Sequence, residues 1–222
     1  WLENITNHKG TVTPGPPTAL KLLTRRRARN VDLSSLRYAW IGGETVFPSV
    51  LQEFEECYAE AGLGAGVMQP TYGMAETVVG ISCGRPGAPW VEENGIISCG
   101  PVLDNMEVQI ADERGDPVEP GQEGRILARG PSVISGYLGL PRFEEGGWLD
   151  TGDLGFVSGE LLYVSGRLKD VIKRGAESFP AALVETIAEE ALDLRTGRAA
   201  AFAVRRADLG KEEIVLLVEA RA

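Results

Sequence analysis

The sequence predicts a mixed α/β protein in two parts: a large α/β part that passes into a β-rich stretch, then a small α/β part. Three observations predict this. Residues 36–76 read as strand, helix, strand, with a glycine or proline loop after each strand, the pattern of a βαβ unit. Residues 95–165 then change to short β-patterned runs at intervals of about 8–15 residues, separated by turn clusters. After Lys169 a helical apolar period returns, followed by two more strands. The expected organisation is therefore the later portion of a large domain over 1–166 (α/β over 1–94, β-rich over 95–166). A hinge follows at 167–170, and a small α/β domain begins at 171–222.

Residues 1–9 read as a short helix, and Thr11-Val12-Thr13 as a strand halted by Pro14, Pro16 and Pro17. A helix follows from about Thr18, with Leu20, Leu22 and Leu23 apolar. Leu36 to Ile41 is a buried-type strand running into Gly42-Gly43-Glu44, and open α/β sheets expose backbone to ligands at such turns. Pro48 suits a first helical position. Behind it Val50, Leu51, Phe54, Cys57, Tyr58 and Ala61 form an apolar stripe that Gly62 and Gly64 end. Val67-Met68-Gln69 begins a strand that stops at Pro70, and Thr71 to Glu76 follow as a loop.

In the β-rich stretch the runs are 96–98, 108–110, 125–128 and 161–164, with turns at Arg114-Gly115-Asp116-Pro117 and Glu119-Pro120-Gly121. The sheet should be largely antiparallel. Asp153 reads as a carboxylate in a turn. Pro180 opens a helix with Leu183, Ile187 and Ala191 on one face and Val184, Ala188 and Leu192 beside it. Strands at about 199–205 and 213–220 close the chain.

Composition excludes several classes of function. Of the 222 residues, 43% are hydrophobic, enough for a real core. A net charge of −10 argues against a broad nucleic-acid surface, which needs clustered Lys and Arg. The basic run Arg25-Arg26-Arg27 with Arg29 reads as a solvated helix end, where cations suit the helix dipole. Three cysteines without a CxxC pair, and one histidine, His8, argue against a disulfide scaffold or a zinc site and for a reducing cytoplasm. No apolar run approaches the ~18 residues of a membrane span. The sequence carries no signal for oligomeric state. It opens on Trp1 in helical pattern and closes just past the apolar run 214–218, which reads as a piece cut from a longer protein.

The chemistry concentrates in Gly147–Gly175, where Asp153 and Arg167 bring one acid and one guanidinium onto loops at the end of a small sheet. Such a pair suits a ligand with vicinal hydroxyls and phosphates. This stretch is the end of an ordered series. Gly42-Gly43-Glu44, Tyr72-Gly73-Met74-Ala75-Glu76, Gly124–Tyr137 (GRILARGPSVISGY), Trp148–Gly155 (WLDTGDLG) and Gly166–Gly175 follow one another within about 130 residues. In that order they resemble the adenylate-forming (acyl-activating) enzyme superfamily of acyl-CoA synthetases, peptide-synthetase adenylation domains and luciferases. The wording of 72–84 and 159–175 is similar to the fatty acyl-AMP ligase branch.

The resemblance implies activation of a carboxylic acid, fatty or aliphatic, by ATP to an acyl-adenylate, followed by transfer to CoA or an acyl carrier protein. ATP/AMP and Mg2+ would be bound. It implies a nucleotide site drawing on Gly42, Gly43, Glu44, Thr71, Tyr72, Gly73, Met74, Ala75, Asp153 and Arg167. Tyr72 would stack on adenine. Glu76 would help hold Mg2+ at the phosphates. Asp153 would accept from both ribose hydroxyls, and Arg167 would contact ribose or phosphate. Lys169 would be the swivel residue between half-reactions, and Gly175 would border the pantetheine path.

The chain departs from the family pattern in several places. Ala75 stands where a threonine hydroxyl is common, with Thr77 nearby. The ligase branch's insertion is missing between Glu76 and Ile96, and 175–180 is one residue short. Neither a phosphate loop ending in Lys nor the late catalytic lysine lies in these residues, so this piece alone is expected not to adenylate. The other reading is a non-catalytic nucleotide- or acyl-binding module on the same scaffold.

Overall fold

The computed structural model describes residues 1–144, 146–174, 177–195, 197–206 and 211–219. It divides into two compact units, Trp1–Thr151 with Gly155–Val164, and Gly152–Leu154 with Ser165–Ala222.

In the first unit the order is α1 (Leu2–His8), β1 (Val12–Gly15), α2 (Pro17–Arg26), β2 (Tyr38–Ile41), α3 (Pro48–Tyr58), β3 (Met68–Tyr72) and β4 (Ser82–Cys83). The strands form a sheet ordered β1-β2-β3-β4; the first three are parallel and β4 is antiparallel to β3. The β2–α3–β3 segment is the expected βαβ unit. Val50, Leu51 and Phe54 of α3 bury their stripe with Leu20, Ile41 and Met68 in one core. Both helices behind β1 and β2 begin on a proline, Pro17 and Pro48, whose fixed φ suits a first turn.

Two prolines behave differently from the expectation. Pro14 lies inside β1, paired with Trp40, rather than halting it. β1 is the edge of its sheet, where a missing N–H faces away from the ladder and costs no bond. Pro70 also lies within its strand. It holds the last pairing with β2, and β4 takes over at Thr71↔Cys83, so β3 runs on to Tyr72.

The β-rich stretch contains β5 (Glu92–Glu93), β6 (Ile96–Pro101), β7 (Glu107–Ala111), β8 (Gly124–Arg129), β9 (Leu149–Ser158) and β10 (Leu161–Arg167). Their sheet order is β5-β6-β10-β9-β8-β7, and the pairs β5/β6, β6/β10 and β7/β8 are antiparallel. Ile81, Ile126, Ala128 and Leu162 centre a second core. Asp153 sits inside β9, not in a turn. The turn signal came from Gly152, whose φ of 74° interrupts the strand locally.

The second unit continues with β11 (Val171–Arg174), β12 (Glu177–Pro180), α4 (Ala181–Ala191), β13 (Ala199–Arg206) and β14 (Lys211–Val218), pairing β11/β12 and β13/β14 antiparallel. The expectation for Gly175 lies outside the described residues, as does the last residue of the expected 213–220 strand.

Of the two adjacent apolar stripes expected on α4, the one holding Val184 and Ala188 is turned inward. Ala181 and Val184 pack in the core with Ile172 and Ala201, and Ala188 is buried, while Leu183 and Ile187 are exposed at 40% and 57%. Hydrogen bonding decides the rotation. Glu185 accepts the Ala201 N–H at 2.9 Å, and buried Glu189 accepts the N–H groups of Arg198 at 2.9 Å and Ala199 at 3.4 Å. Removing that carboxylate strands donors at the start of β13. Glu189→Ala is expected to cost about 1.5–3 kcal/mol in urea unfolding, and Glu189→Gln to recover part of it.

Among the described residues, no helix is long and apolar enough to cross a membrane.

Candidate functional site

The first unit brings two of the expected motifs together. Gly42 follows β2 and Thr71 lies near the end of β3. A Cβ added to Gly42 would stand 2.4 Å from the Thr71 carbonyl oxygen, so the turn after β2 meets the end of β3 backbone to backbone. Gly43 and Glu44 are exposed. The Glu44 carboxylate reaches the first turn of α2, accepting the Thr18 hydroxyl at 3.2 Å and the Thr18 N–H at 3.4 Å. It satisfies one orphan helix donor there, so this side chain is engaged with α2.

Thr71 to Thr77 form a closed clasp. The Thr71 hydroxyl donates to the Ser82 carbonyl at 2.9 Å. Tyr72 is half-buried, its ring packed against the second core. A Cβ on Gly73 would lie 1.9 Å from the Val79 oxygen, so any side chain there would push the loop open. The buried Thr77 hydroxyl donates to the Met74 carbonyl at 3.0 Å and accepts the Met74 N–H at 3.3 Å. That explains why the position after the acid is a threonine, and it shows the hydroxyl committed to the loop rather than offered outward. Val78 carries a φ of 69° and a ψ of −59°, with Val79 N–H bonded to Thr77 O at 2.9 Å, a tight γ-turn. A β-branched residue in that conformation is strained, and such strain collects at ligand sites. Ala75 is exposed and brings no polar group.

Glu76 sits half-buried in this clasp. Its backbone carbonyl accepts the Ile134 N–H at 2.8 Å, and its Oε1 accepts the Tyr137 hydroxyl at 2.9 Å. That bond to a carboxylate pushes the Tyr137 hydroxyl's pKa up. The sequence alone assigns Tyr137 no role. The two residues are 61 positions apart, and only Tyr137's place at the end of the GRILARGPSVISGY motif marked it. The ring also lines a cavity of about 960 Å3 with Arg142, Phe143 and Trp148. In its wall the Arg129 guanidinium lies 4.5 Å over the Trp148 ring while paired with Glu107.

The second unit holds the other half of the expected set. Asp153, only 7% exposed, places Oδ1 3.4 Å from Nε of Arg167, whose side chain is 59% exposed. Burying a carboxylate is costly unless it is hydrogen-bonded and paired, and the Arg167 guanidinium supplies the pair. Lys169 lies on an exposed 3-10 turn, Leu168–Asp170.

The donor set bears on what metal could be held. Among the described residues, no group of three or more His, Cys, Asp or Glu could cage a metal ion. A single carboxylate at Glu76 with one oxygen engaged fits Mg2+ delivered on nucleotide phosphates, since that ion takes one or two protein carboxylates and keeps waters and phosphate oxygens for the rest. Thiol chemistry by the chain itself is not favoured at Cys99. Burial pushes its pKa up to about 12, far from a thiolate at neutral pH.

A family model described as AMP-binding enzyme matches residues 1–138. A Caulobacter vibrioides protein provisionally named an acyl-CoA synthetase is 31% identical over 255 residues, covering 100% of this chain and 44% of its own. The medium-chain-fatty-acid–[acyl-carrier-protein] ligase JamA of Moorena producens is 29% identical over 261 residues, covering 99% of this chain and 44% of its own. A solved chain from a study of fatty acyl-adenylate ligases from E. coli and L. pneumophila superposes with a TM-score of 0.89 at 30% identity, over 100% of this chain and 45% of that one. The chain thus spans just under half the length of these relatives.

Proposed function

The chain belongs to the AMP-binding enzyme family, and on that premise we propose that the protein carrying it activates a fatty or aliphatic carboxylic acid with ATP and passes the acyl group to a thiol. In the first step a carboxylate oxygen bonds to the α-phosphorus and pyrophosphate leaves with the electron pair of the broken P–O bond. In the second, the sulfur of CoA or of a carrier-protein arm gives up its proton and bonds to the acyl carbon, the acyl C–O bond to the phosphate breaks, and AMP leaves with its electron pair. Both steps develop charge on oxygen, so placed donors and acceptors matter more than a protein nucleophile.

Asp153 carries this reading, as a nearly buried carboxylate beside an exposed guanidinium. Its acceptor oxygens suit a ribose diol, and the Arg167 fork suits ribose or phosphate oxygens. The Tyr72 ring gives the adenine a π face. Glu76 would hold Mg2+, which when bound neutralises charge on the phosphates. The Gly42–Thr71 contact supports a floor of backbone under the nucleotide, with Gly43, Gly73, Met74 and Ala75 around it. The exposed Leu168–Asp170 turn, with Lys169 at its centre, can absorb a backbone rotation between the two steps.

The test is hydroxylamine trapping across a panel of acids with the natural protein that carries this chain. A hydroxamate that forms only with ATP is expected, and adding CoA or a phosphopantetheinylated carrier in place of hydroxylamine identifies the acceptor. Nucleotide binding without hydroxamate from any acid would instead support a binding module.

A further inference from the structure

We propose that Tyr137 is a positioning residue for Glu76, fixing one carboxylate oxygen so that the other is presented to a divalent cation carried on phosphates. The inference rests on the reading of Glu76 given above.

Glu76 is held twice by one segment. The Ile134 N–H bonds its backbone carbonyl at 2.8 Å, and the Tyr137 hydroxyl bonds its Oε1 at 2.9 Å. The backbone bond fixes where the residue sits, and the side-chain bond fixes which way its carboxylate turns. The tyrosine is itself held in place. Its ring meets Phe143 edge-on at 5.7 Å and 88°, and a bridge between Gly136 and Arg142 closes the loop behind it. The Thr77–Met74 bonds and the strained turn at Val78 hold the backbone on either side of Glu76.

The choice of partner matters chemically. Among the described residues, Glu76 forms no ion pair with a Lys or Arg. A cationic partner would neutralise the carboxylate and compete with a metal. A neutral hydroxyl orients it and leaves its charge. With Oε1 engaged, Oε2 is left for monodentate binding, the mode that suits a cation keeping most of its waters and phosphate oxygens. Metal-ligating carboxylates are ordinarily held by such outer partners, and losing one costs about 10–100-fold in metal affinity.

The experiment measures Mn2+ binding by electron paramagnetic resonance, with a non-hydrolysable ATP analogue bound to the natural protein that carries this chain. Tyr137→Phe keeps the ring against Phe143 and removes only the hydroxyl. Its apparent Mn2+ Kd is expected to rise about tenfold or more, with the melting temperature and the metal-free affinity for the analogue unchanged. Glu76→Gln should weaken Mn2+ binding further, and adding Tyr137→Phe to it should have no additional effect. Wild-type Mn2+ affinity in Tyr137→Phe, with Glu76→Gln impaired, overturns the role of Tyr137 and leaves that of Glu76 standing. Wild-type affinity in Glu76→Gln removes the metal assignment itself. A fall in metal-free nucleotide affinity parallel to the loss of Mn2+ affinity marks a structural role for Tyr137, and overturns the inference too.

Discussion

Glu76→Gln in the natural protein is expected to lower the rate of ATP-dependent pyrophosphate exchange about 100-fold or more, the scale on which losing one preorganised charge-stabilising group acts. The substitution is nearly isosteric. It keeps an acceptor for the Tyr137 hydroxyl and leaves the Ile134 bond to the backbone untouched. What changes is the negative charge. Stability should therefore move by less than about 1 kcal/mol, because a half-exposed side chain retains its hydrogen bond. The loss should also be partly recoverable by raising Mg2+, since weakened metal binding is a mass-action defect. A rate unchanged at limiting Mg2+ would remove Glu76 from the site. A rate loss that no metal concentration relieves would give the residue a role in orienting substrate instead.

The residues behind this prediction were unequally legible in the sequence. Glu76 and Asp153 stand out in the sequence because each lies within a short motif, and the structure shows residues of those motifs serving one another locally. Gly73 permits the close pass of the Val79 carbonyl, Thr77 ties the loop, and Gly152 breaks the strand beside Asp153. Tyr137 could not be found that way, because its partner is 61 residues off and surface tyrosines are common. Glu44 has a structural contact that its motif does not announce. Its carboxylate is spent on the first turn of α2, a tertiary contact that no local pattern encodes.

The strands and helices followed the same division. The βαβ unit was readable from one helical stripe and two apolar runs. The rotation of α4 was not, because two apolar stripes overlap on its 11 residues. The choice fell to Glu185 and Glu189, which meet the N–H groups of β13 only when Ala181, Val184 and Ala188 face inward. Pro14 and Pro70 were read as strand ends because the missing N–H was counted against the strand. Where that N–H would have pointed depends on sheet order, which emerges only on folding.

Asp153→Ala is expected to raise the KM for ATP about 10–100-fold while leaving the KM for the acid unchanged. Hydrogen bonds to a charged acceptor contribute about 1.5–3 kcal/mol each, and every ~1.4 kcal/mol is tenfold in affinity. A net loss worth about one such contact gives that range. The ion pair with Arg167 does not block the role. A carboxylate has about four lone-pair sites, so Asp153 can keep Arg167 on one oxygen and accept hydroxyls on the rest. The pair is also asymmetric, with the acid side chain 10% exposed and the arginine 59% exposed. Removing the acid frees a guanidinium that water solvates readily. Removing the arginine takes a charge partner from a carboxylate that water barely reaches. Arg167→Ala should therefore lower the melting temperature more than Asp153→Ala does, while Asp153→Ala has the larger effect on the KM for ATP. Calorimetry and initial rates on the two variants separate these orders. Unchanged ATP dependence in Asp153→Ala would leave the buried carboxylate a structural partner of Arg167 and take the ribose contact away from it.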